Sequence, residues 1–290
     1  MLEPLVTIGI PTYNRPDRLK KTLECITNQS YKNLEIIVSD NASPGTETRS
    51  IVEYFSQDDH RITYFRQDEN KGACFNFMFV LKMATADYFM WAADDDHFES
   101  IDLVEKLVHR CTDKILVFPN FNLFDSNQKL ISKEIFTDIY GNCKSKYDYF
   151  FAWCRNGDGY PVYGLYNLNY FRKNELSFNF DNDLIYFNEG TFLHQIFLTG
   201  EVNFISDIFI NISKGGSVPS NKIKLLQSYL SYVNRVITIN MKSSQIPLWV
   251  KISSSSIFAR RYIGALKLLI TILIAFLFHI SHSLFGRKNL

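Results

Sequence analysis

Cysteine is sparse in this chain and never paired: Cys25, Cys74, Cys111, Cys143 and Cys154 are odd in number, widely scattered, and form no CxxC unit. That pattern suggests neither a disulfide framework nor a zinc site, and it reads as a reducing compartment. No two histidines stand at zinc-ligand spacing either. The first apolar stretch is followed by neither GxGxxG nor GxxxxGK[ST], so a dinucleotide cradle and a P-loop are both excluded. The opening MLEPLVTIGIPTYNR carries Glu3 and an apolar run of strand length only, which is no secretory signal, and the N-terminal region is expected to stay in the cytoplasm. Acid is missing from the end: all thirty Asp and Glu lie between Glu3 and Asp207, and the 83 residues beyond hold eleven Lys and Arg. The overall charge of +1 thus hides −10 up to Asp207 and +11 after it, and a tail of one sign is expected to seek a polyanion, either nucleic acid or an anionic membrane.

What is present describes a folded chain. With 290 residues, 46% hydrophobic and 15% aromatic, it can bury a core of ordinary size. Strand-like and helix-like periods alternate over the first 120 residues. Leu5 to Ile10 reads as a strand ending at Pro11, Pro16 to Thr27 as a helix with Leu19, Leu23 and Ile26 on one face, and Leu34 to Ser39 as a buried strand. Thr46 to Phe55 (helix), Ile62 to Phe65 (strand), Gly72 to Met83 (helix) and Tyr88 to Trp91 (strand) continue the alternation. The fold class expected is α/β, a mostly parallel sheet flanked by helices, with ligands outside the carboxyl ends of the strands. PTYNR, SDNAS and ADDD all fall there.

Three adjacent carboxylates, Asp94, Asp95 and Asp96, follow the apolar run Tyr88 to Trp91. Like charges at that spacing repel and lose hydration near a core, so a bound divalent cation is the functional explanation. A solvated turn, or an N-cap for a helix starting near Ile101, is the plain one. The segments VTIGIPTYNRPDRLKKTLECITNQSYKNLEIIVSDNAS and NKGACFNFMFVLKMATADYFMWAADDD resemble the family 2 glycosyltransferases of the GT-A fold, bacterial enzymes that use nucleotide sugars. The resemblance covers about the first hundred residues and does not specify donor or acceptor. It implies that Pro11, Thr12, Tyr13, Arg15 and Lys71 line the nucleotide pocket and that Asp40 accepts from the base or ribose. It implies too that Asp94 and Asp95 face the nucleotide, while Asp94 and Asp96 hold Mn²⁺ or Mg²⁺ on the diphosphate. A hard cation with oxygen ligands suits a leaving nucleoside diphosphate. Asp40 in SDNAS also suits an ordinary Asx-turn, and Tyr13 could cover the sheet edge as readily as stack on a base.

The second half has to supply an acceptor site and a base. In YFNEGTFLHQIFLTGEV, Glu189 heads a helical pattern through Phe192, Leu193, Ile196 and Phe197 that stops at Gly200; it is the expected base, with Asp183 and Asp181 in reserve. A helix N-terminal charge is the alternative role for Glu189. YPVYGLYNLNYF resembles the segment that precedes the acceptor cleft in relatives, with Gly164 permitting close backbone approach. SKGGSVPS places Lys214 in a surface turn or a basic loop over the diphosphate. His97 adjoins the acidic triplet, and His194 reads as structural.

Lys222 to Met241 reads as a helix packed on the core, followed by a Ser-rich linker to Ser256. Leu268 to Gly286 carries no charged residue and is bracketed by Arg260, Arg261, Arg287 and Lys288. It is expected to span or lie on a membrane, a buried core helix being the plain reading. The organisation expected is a catalytic domain over 1–220, split near 100 into nucleotide-sugar and acceptor halves, then 221–256, then a membrane-associating helix over 257–290. The reaction expected is inverting transfer from a nucleotide sugar, most naturally a UDP-sugar, to a glycan or lipid-linked glycan on the cytoplasmic side of the cell membrane. An anionic membrane surface is a partner and nucleic acid is not; the oligomeric state is open. The alternatives are transfer to polyprenyl phosphate and a non-catalytic, membrane-associated nucleotide-sugar-binding protein.

Overall fold

The computed structural model of the chain describes residues 3–94, 98, 100–125, 129–134, 136–157, 159–173, 188–213, 222–244, 246–261 and 263–264. It divides into two compact units, Met1–Asn182 with Asn188–Ser217, and Asp183–Phe187 with Val218–Leu290.

The first unit opens with β1 (Val6–Thr12), α1 (Pro16–Thr27), β2 (Leu34–Asp40), α2 (Glu47–Asp58), β3 (Ile62–Arg66), α3 (Ala73–Met83), β4 (Tyr88–Trp91) and α4 (Leu103–Arg110). Strands β3, β2, β1 and β4 lie side by side in that order, all parallel. Every residue of β1 is buried, as a central parallel strand covered on both faces requires. On α1 the spacing of Leu19, Leu23 and Ile26 turns one stripe inward, and all three are fully buried. The expected stop at Ile10 falls short, because β1 runs on through Pro11 and Thr12. Its pairing with β4 ends at Gly9 while its pairing with β2 continues to Thr12, so Pro11 sits where one flank of the strand has already lost its neighbour.

The unit continues with β5 (Leu116–Phe124), β6 (Leu130–Glu134), α5 (Thr137–Tyr140), α6 (Lys146–Asn156), a 3₁₀ turn (Tyr160–Tyr163), β7 (Leu165–Asn167), α7 (Leu168–Lys173), α8 (Asn188–Thr199) and β8 (Val202–Ser213). Here the sheet, eight-stranded among the described residues, becomes mixed. β7 runs antiparallel to both β4 and β5, β6 antiparallel to β5, and β8 parallel to β5. The β5–β8 register shifts after Pro119, which brings no N–H to the ladder, and Asn120 Nδ2 bridges the interruption by donating to the Ser206 carbonyl at 2.9 Å. Gly164 does permit a close approach, and the neighbour is β5: a Cβ there would lie 2.5 Å from the Val117 carbonyl oxygen. The core of this half is aromatic. The Phe118 ring lies 5.0 Å from Tyr140, 5.6 Å from Phe204 and 5.9 Å from Phe197, and Trp153 stacks on Phe197 at 5.7 Å. His194 is fully buried between Phe150 and Trp153, in keeping with a structural residue.

The second unit contains α9 (Lys222–Lys242) and a helix over 248–261. These two pack antiparallel: Asn240 Nδ2 donates to Ser254 Oγ at 3.0 Å, and Tyr232 meets Phe258 with ring centroids 6.3 Å apart. Ser253 to Ser256, expected as a linker, are therefore helical. The serine hydroxyls can bond back to carbonyls one turn earlier, as Ser254 does to Val250 at 2.7 Å. Among the described residues, no helix is long and apolar enough to cross a membrane. The uncharged run Leu268 to Gly286 lies outside the described residues.

Candidate active site

The carboxyl ends of β1, β2 and β4 share one rim, and its polar side chains are bound to one another. Asp94, three residues beyond β4, is 4% exposed. Its carboxylate accepts from Thr12 Oγ1 at 2.8 Å and the Tyr13 N–H at 3.4 Å, and pairs with Arg15 Nη1 at 3.0 Å. Sequence segments about eighty residues apart are thus joined at one rim, as the strand ends led one to expect. The plain readings of the triplet do not hold for Asp94: it is buried, and the N-cap of α4 is Asp102. Its fit to a metal is limited, since a cation on Asp94 would compete with the Arg15 guanidinium for the same carboxylate. Asp95, Asp96 and His97 lie outside the described residues, as do Asp181, Asp183 and Lys214. Among the described residues, no cluster of three His, Cys, Asp or Glu could hold a metal ion.

Asp40, at the end of β2, has no exposed surface. It accepts from the Ser43 N–H at 2.8 Å, Tyr64 Oη at 2.8 Å and Arg66 Nη1 at 3.0 Å. The bond to Ser43 is the turn read in SDNAS, and a nucleoside reaching Asp40 would have to share a carboxylate already holding three donors. Burial, and then the bond to Asp40, push the Tyr64 hydroxyl up to about 12, so it remains a donor. Tyr64 and Arg66 escaped the sequence reading, although their spacing of two on β3 puts them on one face of the sheet.

The two loops are fixed to each other as well. Asn14 and Ala42 both take left-handed backbone conformations, at φ 54° and 62°, an uncommon state for non-glycine residues. The Asn14 N–H donates to Ser43 Oγ at 2.7 Å, and the Asn41 N–H to the Thr12 carbonyl at 3.0 Å. From α3, Asn76 Nδ2 reaches the Ser39 carbonyl at 2.8 Å and the Thr12 carbonyl at 3.3 Å. The Lys71 N–H donates to Asn41 Oδ1 at 3.0 Å, while its ammonium sits 5.0 Å over the Phe75 ring. Pro11 is buried in the strand. Tyr13 is 44% exposed, and so is the Arg15 side chain, leaving an aromatic face and a cation at the mouth of the rim.

Glu189 stands in the first turn of α8. Phe192, three residues on and so on the same helix face, packs against Trp91 of β4 at 5.6 Å and Tyr166 of β7 at 5.6 Å. The ring contacts tie the first turn of α8 to the strand that leads into the acidic triplet. Gly159 leaves the space for the Glu189 side chain: a Cβ there would lie 3.3 Å from both Cγ and Oε1. Burial pushes the Glu189 carboxyl above its ordinary value of 4.5, partly offset by a bond from its own backbone N–H. A partly buried carboxyl with a raised pKa can take a proton near neutral pH better than an exposed one.

A parallel first half, a mixed second half, and a polar rim joining β1, β2 and β4 define the GT-A fold. Similarity to solved structures extends over most of the chain. Staphylococcus aureus TarS 1-349 in complex with UDP matches 90% of it and is itself covered over 72%, with a TM-score of 0.68 at 14% identity. The mannosyltransferase PcManGT from Pyrobaculum calidifontis, in complex with GDP-Man and Mn²⁺, matches 96% and is covered over 81%, with a TM-score of 0.54 at 15% identity. The chain belongs to glycosyl transferase family 2, whose family model matches residues 7–175. It is 38% identical over 98 residues to the GalNAc(5)-diNAcBac-PP-undecaprenol beta-1,3-glucosyltransferase of Campylobacter jejuni, which is 33% of this chain and 31% of that one. It is 30% identical over 142 residues to the glycosyltransferase GlyA of Streptococcus pneumoniae, 48% of this chain and 20% of the relative. The chain therefore spans about a third of the first relative's length and a fifth of the second's.

Proposed function

We propose that the chain is a glycosyltransferase that moves a sugar, with inversion, from a nucleotide-sugar donor to a glycan or lipid-linked glycan. The observation that carries this reading is the presence of two carboxylates in unlike surroundings: Asp94, ion-paired with Arg15 on the polar rim, and Glu189, whose pKa is raised by burial at the head of α8. UDP-sugars are the favoured donors, supported by the UDP complex of TarS, and the undecaprenol-linked substrate in the Campylobacter enzyme's name supports a lipid-linked acceptor.

The donor base would stack on the exposed face of Tyr13, with the ribose toward Asp94 and Asp95 and the Asp40 cluster closing the pocket floor. Arg15 and Lys71 would meet phosphate charge. The acceptor hydroxyl attacks the anomeric carbon as the bond to the diphosphate breaks, and its proton passes to a carboxylate oxygen of Glu189. Mn²⁺ or Mg²⁺, the ion supported by the acidic triplet and by PcManGT, would be held chiefly through Asp96, because Asp94 is committed to Thr12 and Arg15. When bound it would offset charge on the departing diphosphate.

The direct test is thermal stabilisation and metal-dependent hydrolysis across UDP-, GDP- and dTDP-sugars. One nucleotide class should stabilise the chain, and stabilisation by none of them would sink the reading. Asp96→Asn should remove metal activation and lower turnover by orders of magnitude while leaving the melting curve of the free protein unchanged. Retention of full metal-dependent turnover would take the ion away from Asp96.

A further inference from the structure

The helix over 248–261 wears its apolar side outward. Leu248 is 66% exposed, Ile252 58%, Trp249 54% and, in the helical continuation at 263–264, Ile263 52%. At 100° per residue these four, with exposed Ser256 and Ala259 between them, fall within a stripe about 100° wide that contains no charge. The opposite face holds the packing: Val250, Ser254 and Phe258 are fully buried. Exposed Arg260 stands at the edge of the stripe. Lys251 on the other edge reaches the Met241 carbonyl at 3.3 Å, and Arg261 lies 5.7 Å over the Phe258 ring.

From this we infer that the 248–264 segment is an in-plane docking face for an anionic lipid surface. A face that is apolar at its centre and cationic at its edges fits the boundary between acyl chains and negatively charged headgroups. Tryptophan is at home at that boundary. The charge of this part of the chain is of one sign, since no Asp or Glu follows Asp207. A nucleic acid would meet the cations and leave Leu248, Trp249 and Ile252 without a role. A second copy of the chain would bring like charges together. The inference rests on this helix alone and is independent of the sugar-transfer reading.

Trp249 supplies its own probe, because the other two tryptophans, Trp91 and Trp153, are fully buried. The full-length chain is mixed with phosphatidylcholine vesicles with and without phosphatidylglycerol, and emission and sedimentation are both followed. With the anionic vesicles the emission should shift to the blue and be quenched by lipids brominated high on the acyl chain. Trp249→Phe should remove the shift while the protein still sediments. Leu248→Asp with Ile252→Asp, both at exposed positions, should weaken sedimentation about tenfold or more. Sedimentation with no change in Trp249 emission would overturn the inference and assign binding to another segment. A shift that follows protein concentration without vesicles would assign the face to a second copy, and a shift produced equally by DNA would assign it to a polyanion in general; either overturns it.

Discussion

The polar rim of β1, β2 and β4 and the surroundings of α8 are built from different materials. On the rim, polar groups at the ends of β1, β2 and β4 satisfy one another at 2.7 to 3.4 Å, and two left-handed residues hold the loops in place. Around α8, position comes from ring packing, and the carboxylate of Glu189 is fitted into the space left by Gly159. The first construction fixes direction, because hydrogen bonds are angular. The second fixes volume and dielectric, and it is the second that raises a carboxyl pKa.

The comparison is tested hardest at Glu189. Glu189→Gln keeps shape and removes proton acceptance, so turnover should fall by about 10²-fold or more while nucleotide-induced stabilisation is retained. An equal loss of donor binding would mean that the two halves are not separable in this way. Next in size, Gly164→Ala drives a methyl into the Val117 carbonyl and should cost about 1–3 kcal/mol in denaturant unfolding, since the backbone of β5 has little room to retreat. On the rim, Tyr64→Phe should cost about 1 kcal/mol, the net worth of one hydrogen bond, because Arg66 and the Ser43 N–H still satisfy Asp40. A loss several times larger would show that the network acts as a unit.

The smallest effect sharpens the contrast. Burial raises the Glu189 pKa in the folded chain, so the folded state binds that proton more tightly than the unfolded state does. Its contribution to stability is complete below the ordinary value of 4.5 and is lost as pH rises through the raised folded value. Glu189→Gln should therefore melt slightly higher than the parent at pH 7, with the difference vanishing below about pH 4.5. No gain at pH 7 would mean that the carboxylate is not strained by its surroundings.

The two constructions also differ in how well they can be read. α1 and β4 fall where apolar spacing puts them, and the rim residues Thr12, Arg15 and Asp94 meet because strand ends in a parallel sheet share one edge. Tyr64 and Arg66 were hidden because pattern reading assigns a strand without saying what its ends touch. In the second half, the helix of Glu189 was legible from Phe192, Leu193, Ile196 and Phe197, all fully buried. Its neighbour Gly159 was not, since nothing local links residues thirty apart. The mixed strand directions escaped for the same reason: β7 is three residues long and gains its place only from β4 and β5. The helical serines at 253–256 were misread because local composition was weighed without the partner helix that holds Ser254.

The parallel pairing of β5 with β8 bears on how the chain emerges during synthesis. β1 to β4 can pair as soon as Trp91 is available, but the flank of β5 that receives β8 stays open until Ser213 has been made. For some ninety residues of elongation the segment LVFPNFNLF presents an uncapped strand edge rich in leucine and phenylalanine. Pro119, which interrupts the ladder in the finished sheet, stands in the middle of that edge and spoils it as a template for another chain. The same proline that costs the finished ladder a hydrogen bond thus makes the unpaired edge a poorer partner for a neighbouring strand.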